Sequence, residues 1–332
     1  MKVILPSFVL FAFGAGILRA QTTQLPQSEF RLPEQDQQSG AVPAADGADL
    51  LIQRVVDTCN RFDSVQARIH FQADLYDQHT IGSGLYLQQG AGDARKFYLD
   101  LRIPLAQVAG NNKEQVLVRV CDGQYLWEHR ELPDIEDSDA PARSTVTKVD
   151  IRRVRQALEQ NQRSISSSAA HELMWGGLPK LLDGLQRSFR FTSVQADRLD
   201  APSTGHEGVD SLQVWVATGS WRPESLRVLS ASLANDAAQG KAVSVSKQAQ
   251  QAPDEVSIYV GQDDLFPYRI EFRRRAEKGR GPASAAGAET VPIMQLAFFE
   301  VRLNGPIDAN QFVYDHNAED KTGDVIKSLG GK

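Results

Sequence analysis

The chain has 332 residues and a formal net charge of −6 at neutral pH. That acidic balance makes it a poor general binder of nucleic acid or of anionic membrane surfaces. Its two cysteines, Cys59 and Cys121, are too few for a disulfide-dense scaffold or for a four-ligand zinc site, so no metal and no cofactor is expected. One bridge between them, if the fold brings them together in an oxidising compartment, and two half-buried thiols both remain open.

The first twenty residues start with Lys2, run apolar from Val3 to Leu18 and reach a small residue, Ala20, before Gln21. This is the layout of a cleavable secretory signal, and no later segment approaches the ~20 apolar residues of a spanning helix. A periplasmic or otherwise extracytoplasmic location is therefore expected, with residues 1–20 as signal peptide. No cysteine follows the run, which argues against a lipid-modified N-terminus. Removing residues 1–20 takes away Lys2 and Arg19 and no acid, moving the net charge from −6 to −8. Residues 21–47, rich in Gln, Pro, Ser, Gly and Ala, read as a disordered leader.

Order is expected from Ala48, where Leu51, Ile52, Val55, Val56, Cys59 and Phe62 follow helical spacing and stop before Asp63. Next, Val65, Ala67, Ile69, Phe71, Ala73 and Leu75 alternate with polar residues, so a strand here has one apolar and one wet face. The same pattern recurs at Ile81, Leu85 and Leu87 and at Phe97, Leu99, Leu101 and Ile103. Five strands are expected: Val65–Tyr76, Thr80–Gln88, Lys96–Ile103, Gln115–Cys121 and Gln124–Arg130. Asp122-Gly123 predicts a type I′ hairpin between the last two.

Leu132–Thr145 reads as an acidic loop and Thr147–Ile151 as a short strand. A helical pattern runs from Val149 through Ile151, Val154 and Leu158. A second apolar helical unit runs through Leu173, Met174 and Trp175, breaks at Gly176-Gly177, and continues through Leu178, Leu181, Leu182, Leu185 and Phe189, with Pro179 suited to a first turn. Strands return at Phe189–Arg198, Ser211–Thr218, Glu255–Val260, Tyr268–Arg273, Ile293–Asn304 and, briefly, Phe312–Tyr314. Residues 223–253 and 276–290 read as surface insertions and residues 319–332 as a tail, which makes residues 48–318 a single domain.

Signatures of catalysis are weak, and no catalytic residue is assigned. His171-Glu172 opens like a zinc-protease helix, but four positions after His171 stands Trp175, not histidine. Gly82-Ser83-Gly84 lacks the glycine spacing of a nucleophile elbow and sits within a strand pattern. Asp134, Glu136, Asp137 and Asp139 lack the glycine and distal glutamate of an EF-hand loop. Arg273, Arg274, Arg275, Lys278 and Arg280 form a basic cluster whose plain reading is a solvated strand end.

The element order, with Val120-Cys121-Asp122-Gly123-Gln124-Tyr125-Leu126-Trp127 at mid-chain, Phe266-Pro267-Tyr268-Arg269-Ile270-Glu271-Phe272, and the closing phrases Phe298–Asn304 and Ile307–Tyr314, resembles the periplasmic lipoprotein carrier and outer-membrane lipoprotein-sorting superfamily. The resemblance covers most of residues 48–315 and implies an α+β fold. That fold is an incomplete antiparallel β-barrel, a strongly curved sheet with amphipathic helices over its open concave side. It further implies binding of lipid or lipoprotein acyl chains by a monomeric protein that is not an enzyme. The lining of such a cavity would be Ile69, Phe71, Leu75, Leu85, Leu87, Leu99 and Leu101 from the strands and Trp175, Leu178, Leu182 and Leu185 from the helices. An ordinary core packed shut by those helices is the plain alternative. A sensor or interaction module with a membrane-anchored protein partner is the rival use of the same scaffold.

Overall fold

The computed structural model describes residues 45–75, 78–104, 113–133, 142–153, 169–200, 211–236, 252–275, 290–314 and 322–324. The predicted signal peptide, nearly all of the leader, the acidic run, Val154 and Leu158 lie outside them. Among the described residues no helix is long and apolar enough to cross a membrane.

The first helix, α1 (Ala45–Arg61), starts three residues before the expected Ala48. It buries Ala48, Ile52, Val55, Val56 and Cys59, a stripe at helical spacing, and leaves Leu50 in solvent. Six strands follow: β1 (Ser64–Leu75), β2 (Gln78–Gln89), β3 (Lys96–Pro104), β4 (Glu114–Cys121), β5 (Tyr125–Leu132) and β6 (Arg143–Asp150). Helix α2 (Ala169–Ser188) then leads into β7 (Phe189–Asp200) and β8 (Ser211–Trp221). After α3 (Pro223–Asp236) come β9 (Glu255–Gly261), β10 (Pro267–Arg275) and β11 (Thr290–Leu303), and a three-residue β12 (Thr322–Asp324).

These strands make one sheet in the order β12-β6-β5-β4-β3-β2-β1-β11-β10-β9-β8-β7. Two antiparallel meanders, β1 to β6 and β7 to β11, are thus joined where the first strand pairs the last. Only β12 runs parallel, along β6. The edge strands β12 and β7 do not pair with each other among the described residues, so the barrel stays incomplete, and α1 and α2 cover the apolar face that curvature turns inward. Asp49 ties the layers together. Its carboxylate accepts from the Phe191 backbone at 2.9 Å and pairs with Arg222 at 3.0 Å, while Arg222 also donates to the Gln186 carbonyl on α2.

Helix α3 occupies the start of the predicted insertion at residues 223–253, with the Ser225 hydroxyl donating to the Arg187 carbonyl at the end of α2. Three expectations are corrected. The β4–β5 hairpin exists, but its central residues are Gly123-Gln124 and only Gly123 takes positive φ, at 94°. Asp122 instead accepts the Gln124 and Tyr125 amides on its carboxylate, closing the loop from its own side chain. The segment expected as a strand at Phe312–Tyr314 is not one: Phe312 ends a 3-10 turn, Ala309–Phe312, that Asp308 starts by accepting the Asn310 amide. β6 runs from Arg143, four residues before the expected strand.

The helix-free face has a small core of its own. Val120, Trp127 and Val146 are buried there with Tyr98, Val118 and Tyr125 around them. Tyr314 stacks on Trp127 with ring centroids 5.3 Å apart, and the Lys148 ammonium sits over the Tyr125 and Trp127 rings.

Candidate functional site: the helix-covered face

Cross-strand pairing fixes which side chains share a face. One inward row reads Val194, Ala217, Ile258, Ile270, Leu296, Phe71 and Gly82 across seven strands. The next reads Phe298, Ile69, Gly84, Leu101, Leu117 and Arg130, and the one beyond it Ala67, Tyr86, Leu99, Arg119, Glu128 and Thr147. The inner surface is therefore apolar over β7 to β3 and turns ionic toward β5.

The structure places the expected lining residues unevenly. Ile69, Phe71 and Leu101 point inward and are 2–3% exposed. Leu99 points inward and is half-buried against the same core. Leu178, Leu182 and Leu185, one stripe of α2, are 0–2% exposed. Leu85 and Leu87 are corrected. They pair with Arg68 and Gln66 of β1 and so lie on the opposite, helix-free face, Leu85 with 37% of its surface exposed. The inward positions of β2 are instead Gly82, Gly84, Tyr86 and Gln88. A Cβ on Gly84 would stand 1.9 Å from the Asp100 carbonyl oxygen, so β3 approaches β2 too closely there for any side chain. The side chains of Leu75 and Trp175 lie outside the described residues.

Exposures of 0–3% describe packed neighbours, since even an internal void large enough for water would show as accessible surface. Beneath the Leu178–Leu185 stripe the sheet and helix interlock as a core. Aromatic rings extend it, with Phe298 set 6.1 Å from Tyr86 and 5.7 Å from Phe266 between centroids.

Three polar features interrupt this apolar layer. At the first, α2 breaks at Gly177 (φ 66°, ψ −159°), a conformation open essentially to glycine alone. The second half of the helix starts there. Tyr86 accepts the Leu178 amide at 2.8 Å and donates to Gln88 at 2.8 Å, so a sheet side chain caps the helix. The second is Arg95, buried and donating to Asn60 at 2.7 Å, with its carbonyl accepting from the Cys121 thiol. Both cysteines are buried thiols, and no bridge joins them.

The third is ionic. Arg119, 1% exposed, donates from Nε to Glu128 at 2.6 Å, and Arg130 pairs with the same carboxylate at 2.5 Å. Burial pulls the Arg119 guanidinium down from its ordinary value, and the Glu128 charge opposes that pull. Sequence reading missed this group because β4 is apolar on both faces around Arg119. The signal was nonetheless present: counting back from the hairpin pair Cys121 and Leu126 puts Arg119 opposite Glu128.

Burial also pushes up the Cys59 thiol and the Tyr86 hydroxyl from their usual 9.0 and 10.0. Burial and then the hydrogen bond to Asp264 do the same for Tyr268. The unfolded chain releases the thiol proton above about pH 9 and the two phenol protons above about pH 10, while the folded one keeps them. Their contribution is therefore intact below pH 9 and stability falls as pH rises, by about 1.4 kcal/mol per pH unit for each group. Urea denaturation in steps from pH 8 to 11 is expected to follow this slope, and Cys59→Ala to flatten it between pH 9 and 10.

Among the described residues no group of three or more His, Cys, Asp or Glu is placed to hold a metal ion. No family model matches the chain, and no curated protein matches its sequence. Among solved structures it is similar to a chain of the Pseudomonas aeruginosa MucA/MucB complex, at 11% identity and a TM-score of 0.37, covering 81% of this chain and 61% of that one. The chain thus spans about three fifths of that match. It is similar to the Mycobacterium tuberculosis lipoprotein LppX, at 12% identity and a TM-score of 0.33, over 80% of this chain and 98% of that one. A Vibrio parahaemolyticus domain described as an outer membrane lipoprotein-sorting protein matches at 10% identity and a TM-score of 0.29, over 81% and 97%. With TM-scores below 0.5, these likenesses carry no argument about ligand or partner.

Proposed function

We propose that this is an extracytoplasmic binding protein, not an enzyme, that holds an acyl chain of a lipid or lipoprotein between its curved sheet and α2. The sequence phrases that resemble the lipoprotein-carrier superfamily are consistent with it. The observation that carries the reading is the cover itself. An apolar helical stripe lies on an apolar sheet face, and the helix is broken at Gly177, where Tyr86 holds it. The guest takes the place of Leu178, Leu182 and Leu185 on the sheet when this half of α2 lifts. Burying about sixteen methylenes is worth on the order of 10 kcal/mol before ordering costs, enough to replace the helix stripe.

Native mass spectrometry of protein purified from its own compartment is expected to show lipid as added mass. A charge at Ile103, half-buried on the inner face at the end of β3, is expected to remove it: Ile103→Glu should keep the circular dichroism of the parent and lose the adduct. A parent that emerges without lipid and takes up no acyl probe ends the reading. The close packing of Ile69, Phe71 and Leu182 favours the second use of the scaffold, a protein-interaction module. For that use, a pull-down should return one protein partner and no lipid.

A further inference from the structure

The helix-free face contains a hollow of about 460 Å³ across β11, β1, β2 and β3. A single row crosses it: Phe299 beside Arg68, Arg68 beside Leu85, and Leu85 beside Asp100. Leu85 lies open in the middle of a charged surface at 37% exposure. It stays uncovered because Ser83, the next outward residue of β2, is short while its partners Arg102 and His70 stand on either side. At one end Gln66, which lines the hollow, donates to the Pro306 carbonyl in the chain after β11.

Three guanidiniums, of Arg68, Arg102 and Arg302, line the hollow with two carboxylates, Asp100 and Glu300, and Glu114 reaches Arg102 from outside it. Arg68 is held by Glu300 at 2.9 Å and Arg102 by Asp100 at 3.3 Å and Glu114 at 3.2 Å. Among the described residues no ion pair engages Arg302, which is exposed. The wall at β11 is a bulge. Pairing with β1 slips between Gln66 and Arg68, and Glu300 takes positive φ, 50°, a conformation a non-glycine residue seldom adopts. Bulges re-aim side chains, and strained residues of this kind persist where the surroundings use them. Here the bulge brings the Glu300 carboxylate to Arg68 and leaves Arg302 at the rim.

We propose that this hollow binds a single-chain amphiphile whose head carries one negative charge, a carboxylate or a phosphodiester. Leu85 and Phe299 give the chain an apolar floor, the volume lies in the range of small-molecule sites, and a guanidinium matches either head group in two-pronged fashion. One anion gives Arg302 the ion pair that it lacks among the described residues, and an uncharged amphiphile does not. The site is separate from the helix-covered face and does not depend on the reading given for it.

Isothermal titration of the full chain with dodecanoate, lysophosphatidylglycerol, methyl dodecanoate and inorganic phosphate tests it. The parent should bind at least one of the two anionic amphiphiles, and the tighter of them identifies the head group. Arg302→Glu, at an exposed position, should weaken that binding by about tenfold or more, while Ile103→Glu leaves it unchanged. The methyl ester should bind more weakly than dodecanoate and not respond to Arg302→Glu. The proposal is overturned by a parent that binds neither anion, by Arg302→Glu binding like the parent, or by an ester as tight as the acid. Displacement of the amphiphile by inorganic phosphate alone also overturns it. Binding lost only in Ile103→Glu puts the amphiphile under α2, which ends this proposal and leaves the other reading standing.

Discussion

Glu128→Leu is expected to cost about 3–5 kcal/mol of stability, because it leaves two guanidiniums facing each other without the carboxylate between them. Arg119 is 1% exposed and cannot turn to water, while Arg130 shares the same partner. Arg119→Met combined with Glu128→Leu should recover part of the loss, since it removes the buried guanidinium that has lost its carboxylate, while Arg130, 28% exposed, still loses Glu128. Urea denaturation of both variants measures the difference. A single variant as stable as the double one would show that Glu128 does little for Arg119. The comparison bears on function as well. If recovered stability comes with altered uptake of an acyl probe, the ionic patch at the β4–β5 end of the inner face serves the guest and not only the fold.

Gly177→Ala should be the second large effect. The backbone there costs a residue with a side chain about 1–3 kcal/mol, and the new Cβ would stand 2.6 Å from the Tyr86 hydroxyl and 3.3 Å from the Gln88 oxygen. Pushing Tyr86 aside strands the buried Leu178 amide for about a further 1–3 kcal/mol. The damage should be local. Hydrogen exchange is expected to quicken over Leu178–Ser188 and stay slow in β1 and β10. Tyr86→Phe, which removes only the hydroxyl, should give the same pattern with a smaller loss. Uniform exchange in either variant would mean that α2 opens only with the whole molecule.

How much of this was legible in the sequence depended on whether a strand's apolar side was also its inner side. In β1 it was: Val65, Ala67, Ile69, Phe71 and Ala73 alternate in sequence and all lie buried. In β2 the rule inverts. The tight approach of β3 admits only glycine at position 84, Tyr86 is needed under the helix break, and the leucines at 85 and 87 fall on the outer face. Periodicity fixes the phase of a strand but not which phase faces the core when the inner residues are small or polar. The same limit hid Arg119, set among apolar neighbours on both faces. The stripe Leu178, Leu181, Leu182 and Leu185 was readable because one face of a helix has to bury whatever its sheet offers. The end of the chain misled because Phe312 and Tyr314 alternate like a strand, while Asp308 starts a turn just before them.

The pairing of the first strand with the last has a consequence for how the molecule is made. The Asp63 amide donates to the Asn304 side chain across 241 residues of chain, and β1 meets β11 all along its length. During synthesis the leading strand emerges long before its neighbour, with one row of amides and carbonyls unmet. Contacts of such separation form slowly, and open edges invite association with other chains. The unfinished chain should therefore lean on holding chaperones, and truncations short of β11 should aggregate instead of folding as a smaller sheet.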